Sequence, residues 1–246
     1  MNIFPANSEP IPTITTEQMI EVDRAMIEDY HIDLIQMMEN AGRSLAQVAR
    51  YRFLQGNPQG KQIIILAGAG GNGGGALVCA RHLFNYGATV TVYTTKADDA
   101  FTAIPAHQLN ILRQMALPIF AATAVNGAPT AHLIIDGIIG YSLKGAPRGT
   151  AKTLINWANQ QNSPILALDA PSGIDTTSGK IFNPVIRATA TMTLALPKTG
   201  LQAKTVAPYV GELYLADISV PAQLYASPQL GVTVGPIFRE SEIIRL

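Results

Sequence analysis

Apolar positions along this chain follow two rhythms. Between Thr15 and Tyr30 they fall three and four residues apart, at Met19, Val22, Met26 and Tyr30, as on a helix with one buried face. Thr15 with Gln18 has the spacing of a capping box, so the helix is predicted to start there and run to about Tyr30. Asp33 with Gln36 repeats the signal and predicts a second helix to about Leu54. The rhythm then changes. Short apolar runs at 62–67, 88–94, 132–136, 164–169, 189–196 and 212–217 read as strands. Helical spacing returns between them near 75–86, 104–115 and 150–161. This alternation predicts an α/β fold with a mostly parallel central sheet, helices on both faces and two helices ahead of the first strand.

Residues 1–14 hold three prolines and are expected to form an irregular arm, with residues 15–246 as one domain, because no linker-like run divides them. A hydrophobic content of 48% suffices for a large core. Charge sharpens the picture by exclusion: 17 basic and 17 acidic residues give no electrostatic case for nucleic acid or an acidic membrane surface. The single cysteine, Cys79, excludes a disulfide framework within the chain and reads as a small core residue. No apolar stretch reaches the ~18–20 residues of a membrane span. The first residues lack the basic start and apolar core of a signal peptide, so the expected compartment is the cytoplasm.

Three loops carry the candidate chemistry, each after a predicted strand, where ligands gather in open α/β sheets. The first follows Ile63–Leu66 and has six glycines in the eight positions from Gly68 to Gly75. Such a run lets backbone adopt positive φ and approach a ligand closely. The helix that follows should offer unpaired N–H groups to an anion. The second, "DGIIGYSLKGAPRG", begins at Asp136, and the third, "DAPSGIDTTSG", at Asp169. A lone aspartate at a strand end is usually a turn or helix cap. Two of them beside a glycine loop point to a site. Of the four histidines, His82 falls within a helix, His132 starts a strand, and His31 and His107 lie outside the three loops, so structural or solvated roles are expected.

At these residues the chain resembles the NAD(P)H-hydrate epimerase family, of the YjeF N-terminal domain type, over about residues 15–221. "MMENAG" at 37–42, "GAGGNGGGA" with "VCARHL", "DGIIGYSLKG", "DAPSGID" and "LPKTG" at 196–200 stand in the family's order. The resemblance implies a Rossmann-like three-layer α/β/α sandwich. It also implies an epimerase that interconverts the R and S forms of NADH and NADPH hydrated at C6 of the nicotinamide ring. A separate S-specific dehydratase then clears both forms; the chain's length leaves no room for that half. A potassium ion and a homodimer come with the family. Carried over by position, Asn72, Asp136 and Ser172 become the potassium ligands. Gly71, Asn72, Gly73, Gly74 and Gly75, with Gly140, Tyr141, Ser142, Leu143, Lys144, Gly145 and Ala146, become the substrate contacts. Asp169 would meet the hydrated ring and is the acid/base candidate.

The family's glycine loop reads G-x-G-N-N-G-G-D-G. Gly71 replaces its first asparagine, Gly75 its aspartate, and Gly137 a usual alanine in the second loop. Ala146 stands where some relatives have an acid. A non-catalytic nucleotide-binding or dimeric scaffold is therefore the alternative. A Rossmann dehydrogenase fits worse, because no acidic residue ends the second strand at "TVYTTK" to hold a ribose.

Overall fold

The computed structural model describes residues 3–6 and 10–246. Chain order is α1 (Thr16–Glu28), α2 (Leu34–Val48), β1 (Gln62–Ala67), α3 (Gly71–Asn85), β2 (Thr89–Thr94), α4 (Ala103–Gln114), β3 (Ile119–Ala121), β4 (Leu133–Gly137), α5 (Gly149–Asn159), β5 (Ile165–Leu168), β6 (Ala190–Leu194), α6 (Ala207–Val210), β7 (Glu212–Ala216), α7 (Ala222–Tyr225) and β8 (Ile243–Arg245). The sheet order is β3-β2-β1-β4-β5-β6-β7-β8. Every neighbouring pair is parallel except β7 with β8. The chain leaves β1 towards β2 on one side and resumes at β4 on the other. That switch opens a crevice at the carboxyl ends of β1 and β4, the usual ligand site of such sheets.

Alternation along the strands builds the layers. Ile63 and Ile65 of β1 pack with Leu45 of α2, Leu77 of α3 and Leu109 of α4 on one face. Ile64 and Leu66 pack on the other with Leu154, Ile155 and Trp157 of α5. A third apolar cluster joins Val22 and Met26 of α1 to Met37 of α2, Ile218 and Tyr225.

Both helix starts form as the spacing predicts. The Thr15 hydroxyl accepts the Gln18 N–H at 3.2 Å, and the Gln18 side chain accepts the Thr15 N–H at 2.9 Å. The Gln36 side chain likewise accepts the Asp33 N–H at 2.8 Å. Beyond Val48 the second helix continues to Phe53 as a π-helical segment. The expected arm is pinned where it is described: Phe4 is buried, Ala6 bridges to Arg245 and Ile14 to Lys198. Residues 1, 2 and 7–9 of that arm lie outside the described residues.

The glycine loop differs from expectation in one respect. No glycine from Gly68 to Gly75 has a positive φ. Helix α3 starts at Gly71, four residues before the expected position, so Gly71–Gly75 are helical. At Gly73 and Gly74 the missing Cβ serves close packing. A side chain at Gly73 would enter the Gly68 carbonyl, and one at Gly74 would enter the Met38 thioether. Buried packing against α2 and the sheet thereby outweighs the low helix propensity of glycine.

Candidate functional site

The three loops meet at one end of the sheet. They enclose, with α1 and α2, a cavity of about 360 Å³, within the usual size range of small-ligand pockets. Met19 and Ile27 of α1, Leu34, Met37, Met38 and Ala41 of α2, and Leu168, Leu194 and Ile218 give it apolar walls. Its polar groups are Asp23, Asn72, Tyr141, Ser142, Asp169 and Lys198.

Asp169 and Lys198 form the charged centre. Both are almost wholly buried, and Lys198 Nζ stands 2.6 Å from Asp169 Oδ1. The same ammonium donates to the Leu194 carbonyl at 2.7 Å. The Thr193 hydroxyl donates to Oδ1 of Asp169 at 3.4 Å, and the Tyr141 N–H to Oδ2 at 3.2 Å. Asp169 has φ +65°, and Ala195, after the next strand, has φ +64°. Left-handed non-glycine residues carry backbone strain that gathers at functional sites. Here the bend turns the Asp169 carboxylate from the strand end into the cavity.

Asp136 solves burial in another way. Its Oδ2 accepts the Ser172 N–H at 2.8 Å, and its Oδ1 accepts the Ser172 hydroxyl at 2.7 Å and the Ile138 N–H at 3.2 Å. Among the described residues no basic side chain pairs with it. Burial pushes its carboxyl up to about 6, against the lowering by those hydrogen bonds. Ser172 Oγ also accepts the Ile139 N–H at 2.9 Å, which ties the second loop to the third.

Asn72 lies in the first turn of α3, with Nδ2 buried and without a partner among the described residues. Its Oδ1 is 3.0 Å, and Asp169 Oδ2 is 3.3 Å, from the point a Cβ on Gly140 would occupy. Gly140 thus admits both side chains. Gly71, Asn72, Gly75, Gly140, Tyr141 and Ser142 line the cavity. Gly73 and Gly74 are packed behind it, and Leu143, Lys144, Gly145 and Ala146 lie outside its lining. At Gly75 a Cβ would come within 2.8 Å of Leu168 Cδ2, the mobile end of a side chain. At Gly137 a Cβ would collide with that of Ala76.

The remaining motifs explain each other. Glu39 of "MMENAG" pairs with Arg81 of "VCARHL" and takes His82 Nε2 at 2.8 Å. Gly42 lets α2 press on Val78 of α3. His132 Nδ1 accepts the Gln62 N–H at 3.1 Å, the structural role expected of it. Cys79 is fully buried, and burial pushes its thiol up, as suits an inert core residue.

Sequence reasoning missed two of the polar residues. Asp23 sits among the charged residues of α1, where it reads as part of a solvated face. Yet it enters the cavity and accepts the Tyr141 hydroxyl. Lys198 was visible only within "LPKTG"; a lysine closing an apolar strand run is the signal that could have found it.

The family model described as YjeF-related protein N-terminus matches residues 34–200, more than half of the chain. The chain belongs to this family. Among its YjeF-type relatives, a protein of Dehalogenimonas lykanthroporepellens named NAD(P)H-hydrate epimerase is 39% identical over 224 residues, covering 89% of this chain and 87% of that one. A Moorella thermoacetica protein named bifunctional NAD(P)H-hydrate repair enzyme Nnr is 35% identical over 87% of this chain, which spans 42% of that longer protein. The crystal structure of yeast ynu0 superposes with a TM-score of 0.80 over 96% of this chain and all of the yeast one. At 24% identity that match bears on the fold alone, and it agrees with the Rossmann-like layering.

Proposed function

We propose that this chain is an NAD(P)H-hydrate epimerase, interconverting the R and S forms of hydrated NADH and NADPH. The observation that carries the reading is the Asp169–Lys198 pair at the mouth of a glycine-started helix, inside an otherwise apolar cavity. Near full-length similarity to relatives of that name supports it.

The apolar walls take the ring and exclude bulk water. The unpaired N–H groups of Gly71 and Asn72 at the start of α3 favour substrate phosphate. Carbon C6 carries a hydroxyl beside the ring nitrogen, so the barrier falls when a proton is supplied to or taken from that oxygen. Asp169 is the group proposed to do so. Among the described residues its Oδ2 accepts only the Tyr141 N–H, which leaves acceptor capacity for the substrate.

Potassium is part of the proposal. Asn72, Asp136 and Ser172 offer amide, carboxylate and hydroxyl oxygens, the donors a hard cation takes. The fully buried Asp136, with no basic partner among the described residues, fits such an ion. When bound, it would neutralise Asp136 and join the glycine loop to the third loop. We further propose a cytoplasmic homodimer whose product passes to an S-specific dehydratase. The two-part repair enzymes among the relatives support that last link.

The direct test is incubation with isolated R-hydrate of NADPH while the S form is followed by chromatography. Appearance of S above the enzyme-free rate is expected; its absence at substrate-level enzyme ends the reading.

A further inference from the structure

Two carboxylates enter the cavity, from different walls. Asp169 comes from the strand ends, and Asp23 from α1. Tyr141 ties them together: its backbone N–H donates to Asp169 Oδ2 at 3.2 Å, and its hydroxyl donates to Asp23 Oδ2. The two acids therefore stand about one tyrosine apart, and both line the cavity. Asp23 Oδ1 accepts no hydrogen bond among the described residues.

The other acids of α1 behave differently, and Glu17 is exposed. Glu21 and Glu28 pair with Arg24, together with Asp29 beyond the helix, at the surface. A carboxylate turned inward from such a helix is costly unless hydrogen bonds offset it, and Asp23 has only the Tyr141 hydroxyl among the described residues. Four titratable groups face it: Tyr141, Lys198, Asp169 and the buried Tyr225 of α7, whose hydroxyl has no partner among the described residues. Burial raises the Asp23 carboxyl, with Asp169 adding to the rise and Tyr141 and Lys198 opposing it. A carboxyl in that setting can hold a proton.

We infer that Asp23, oriented by Tyr141, is a second catalytic acid/base, acting on the ring face opposite to Asp169. The inference rests on the epimerase reading above. Inverting C6 requires an oxygen to leave from one side and another to arrive from the other. In one direction the Asp23 carboxyl gives its proton to the C6 hydroxyl. The C–O bond breaks, its electron pair leaves with water, and the N1 lone pair forms an N1=C6 double bond. A water on the Asp169 side then adds to C6. The N1=C6 pair returns to nitrogen, and the proton lost by that water goes to Asp169. Asp23 is left ionised and Asp169 protonated, the state that runs the reverse conversion. No oxidant or reductant is needed.

The test has two arms. In water enriched in oxygen-18, the parent protein should place one solvent oxygen at C6 in each conversion, corrected for the enzyme-free exchange. Asp23→Asn should lose about 10²–10⁴-fold in kcat, with NADPH affinity and melting temperature held at parental values. Asp23→Glu should recover part of the loss. Tyr141→Phe should lower kcat about ten- to a hundredfold with KM unchanged, as expected for a lost hydrogen bond to a charged partner. Interconversion without oxygen uptake would overturn the inference and leave the epimerase reading intact, since ring opening keeps the original oxygen. So would an Asp23→Asn protein within threefold of the parent, or one whose loss is matched by lost affinity. If Asp23→Asn does not fold, oxygen uptake by the parent and the Tyr141→Phe rates still decide. A parent that converts nothing ends the epimerase reading itself.

Discussion

Asp136 and Asp169 stand at the carboxyl ends of adjacent parallel strands, β4 and β5, and both are buried. They differ in what surrounds the charge. Asp169 has an ammonium within the chain, Lys198, brought from the next strand end. Among the described residues Asp136 has only hydrogen-bond donors, two of them from Ser172. A buried carboxylate is stable when its charge is matched and its lone pairs are filled. Asp169 meets both conditions internally; Asp136 meets the second alone. On the proposed function, the matched carboxylate serves the substrate and the unmatched one takes a cation.

Removing Lys198 should break the contrast most severely. Lys198→Met leaves Asp169 buried and unmatched, and should cost about 3–5 kcal/mol, the range for one partner lost from a buried pair. Adding Asp169→Asn should recover most of it, as thermal or urea unfolding of the single and double variants would reveal. Next in size is Gly137→Ala. The new methyl meets Ala76 directly behind Asp136 and should cost about 1–3 kcal/mol by overpacking. Ala76→Gly in the same chain should cancel that loss.

The cation response sharpens the comparison further. Potassium at ten times its dissociation constant should stabilise the parent by about 1.4 kcal/mol, or roughly 3–6 °C in melting temperature, relative to a large organic cation. Asp136→Asn should abolish the response, whereas Asp169→Asn should keep it. A response lost in the Asp169 variant and kept in the Asp136 one would reverse the assignment.

The smallest effect lies far from the cavity, at Glu212 and Arg52, which are 2.6 Å apart and partly exposed. Arg52 holds the Glu212 carboxyl down at about 2, below its ordinary 4.5. A depressed carboxyl stabilises above its unfolded value and loses that contribution as pH falls from about 4.5 to 2. Glu212→Gln should therefore cost under about 1 kcal/mol at pH 7, and the gap from the parent should narrow below pH 4.5 and close only below pH 2.

The interior strands and the two capped helices were legible because period and capping chemistry act locally. β3 and β8 were not. Each has three residues at a sheet edge, too few for a period to emerge. The true start of α3 was hidden because glycine argues locally against a helix, and only contact with Met38 and the Gly68 carbonyl reverses that. Asp136 and Asp169 could be picked out because each ends an apolar run. Asp23 could not, since its neighbours in α1 are solvent-facing charges and nothing in the spacing marks the one turned inward. Lys198 stayed hidden for the opposite reason: a buried lysine is rare, and its partner lies 29 residues earlier in the chain.

The contact between Ala76 and the bare Cα of Gly137 has a consequence for descent. The family pattern that this chain resembles has glycine at the first position and alanine at the second; here the two are exchanged. One methyl group fills the gap in either arrangement, so the exchange is neutral only when complete. A lineage passing from one to the other through single substitutions meets either two methyls in one space or none. The empty intermediate leaves a gap of one methyl, and the crowded one must push a helix off the sheet. The path that vacates the space before refilling it is the easier. A variant with glycine at both positions should therefore lose less stability than one with alanine at both.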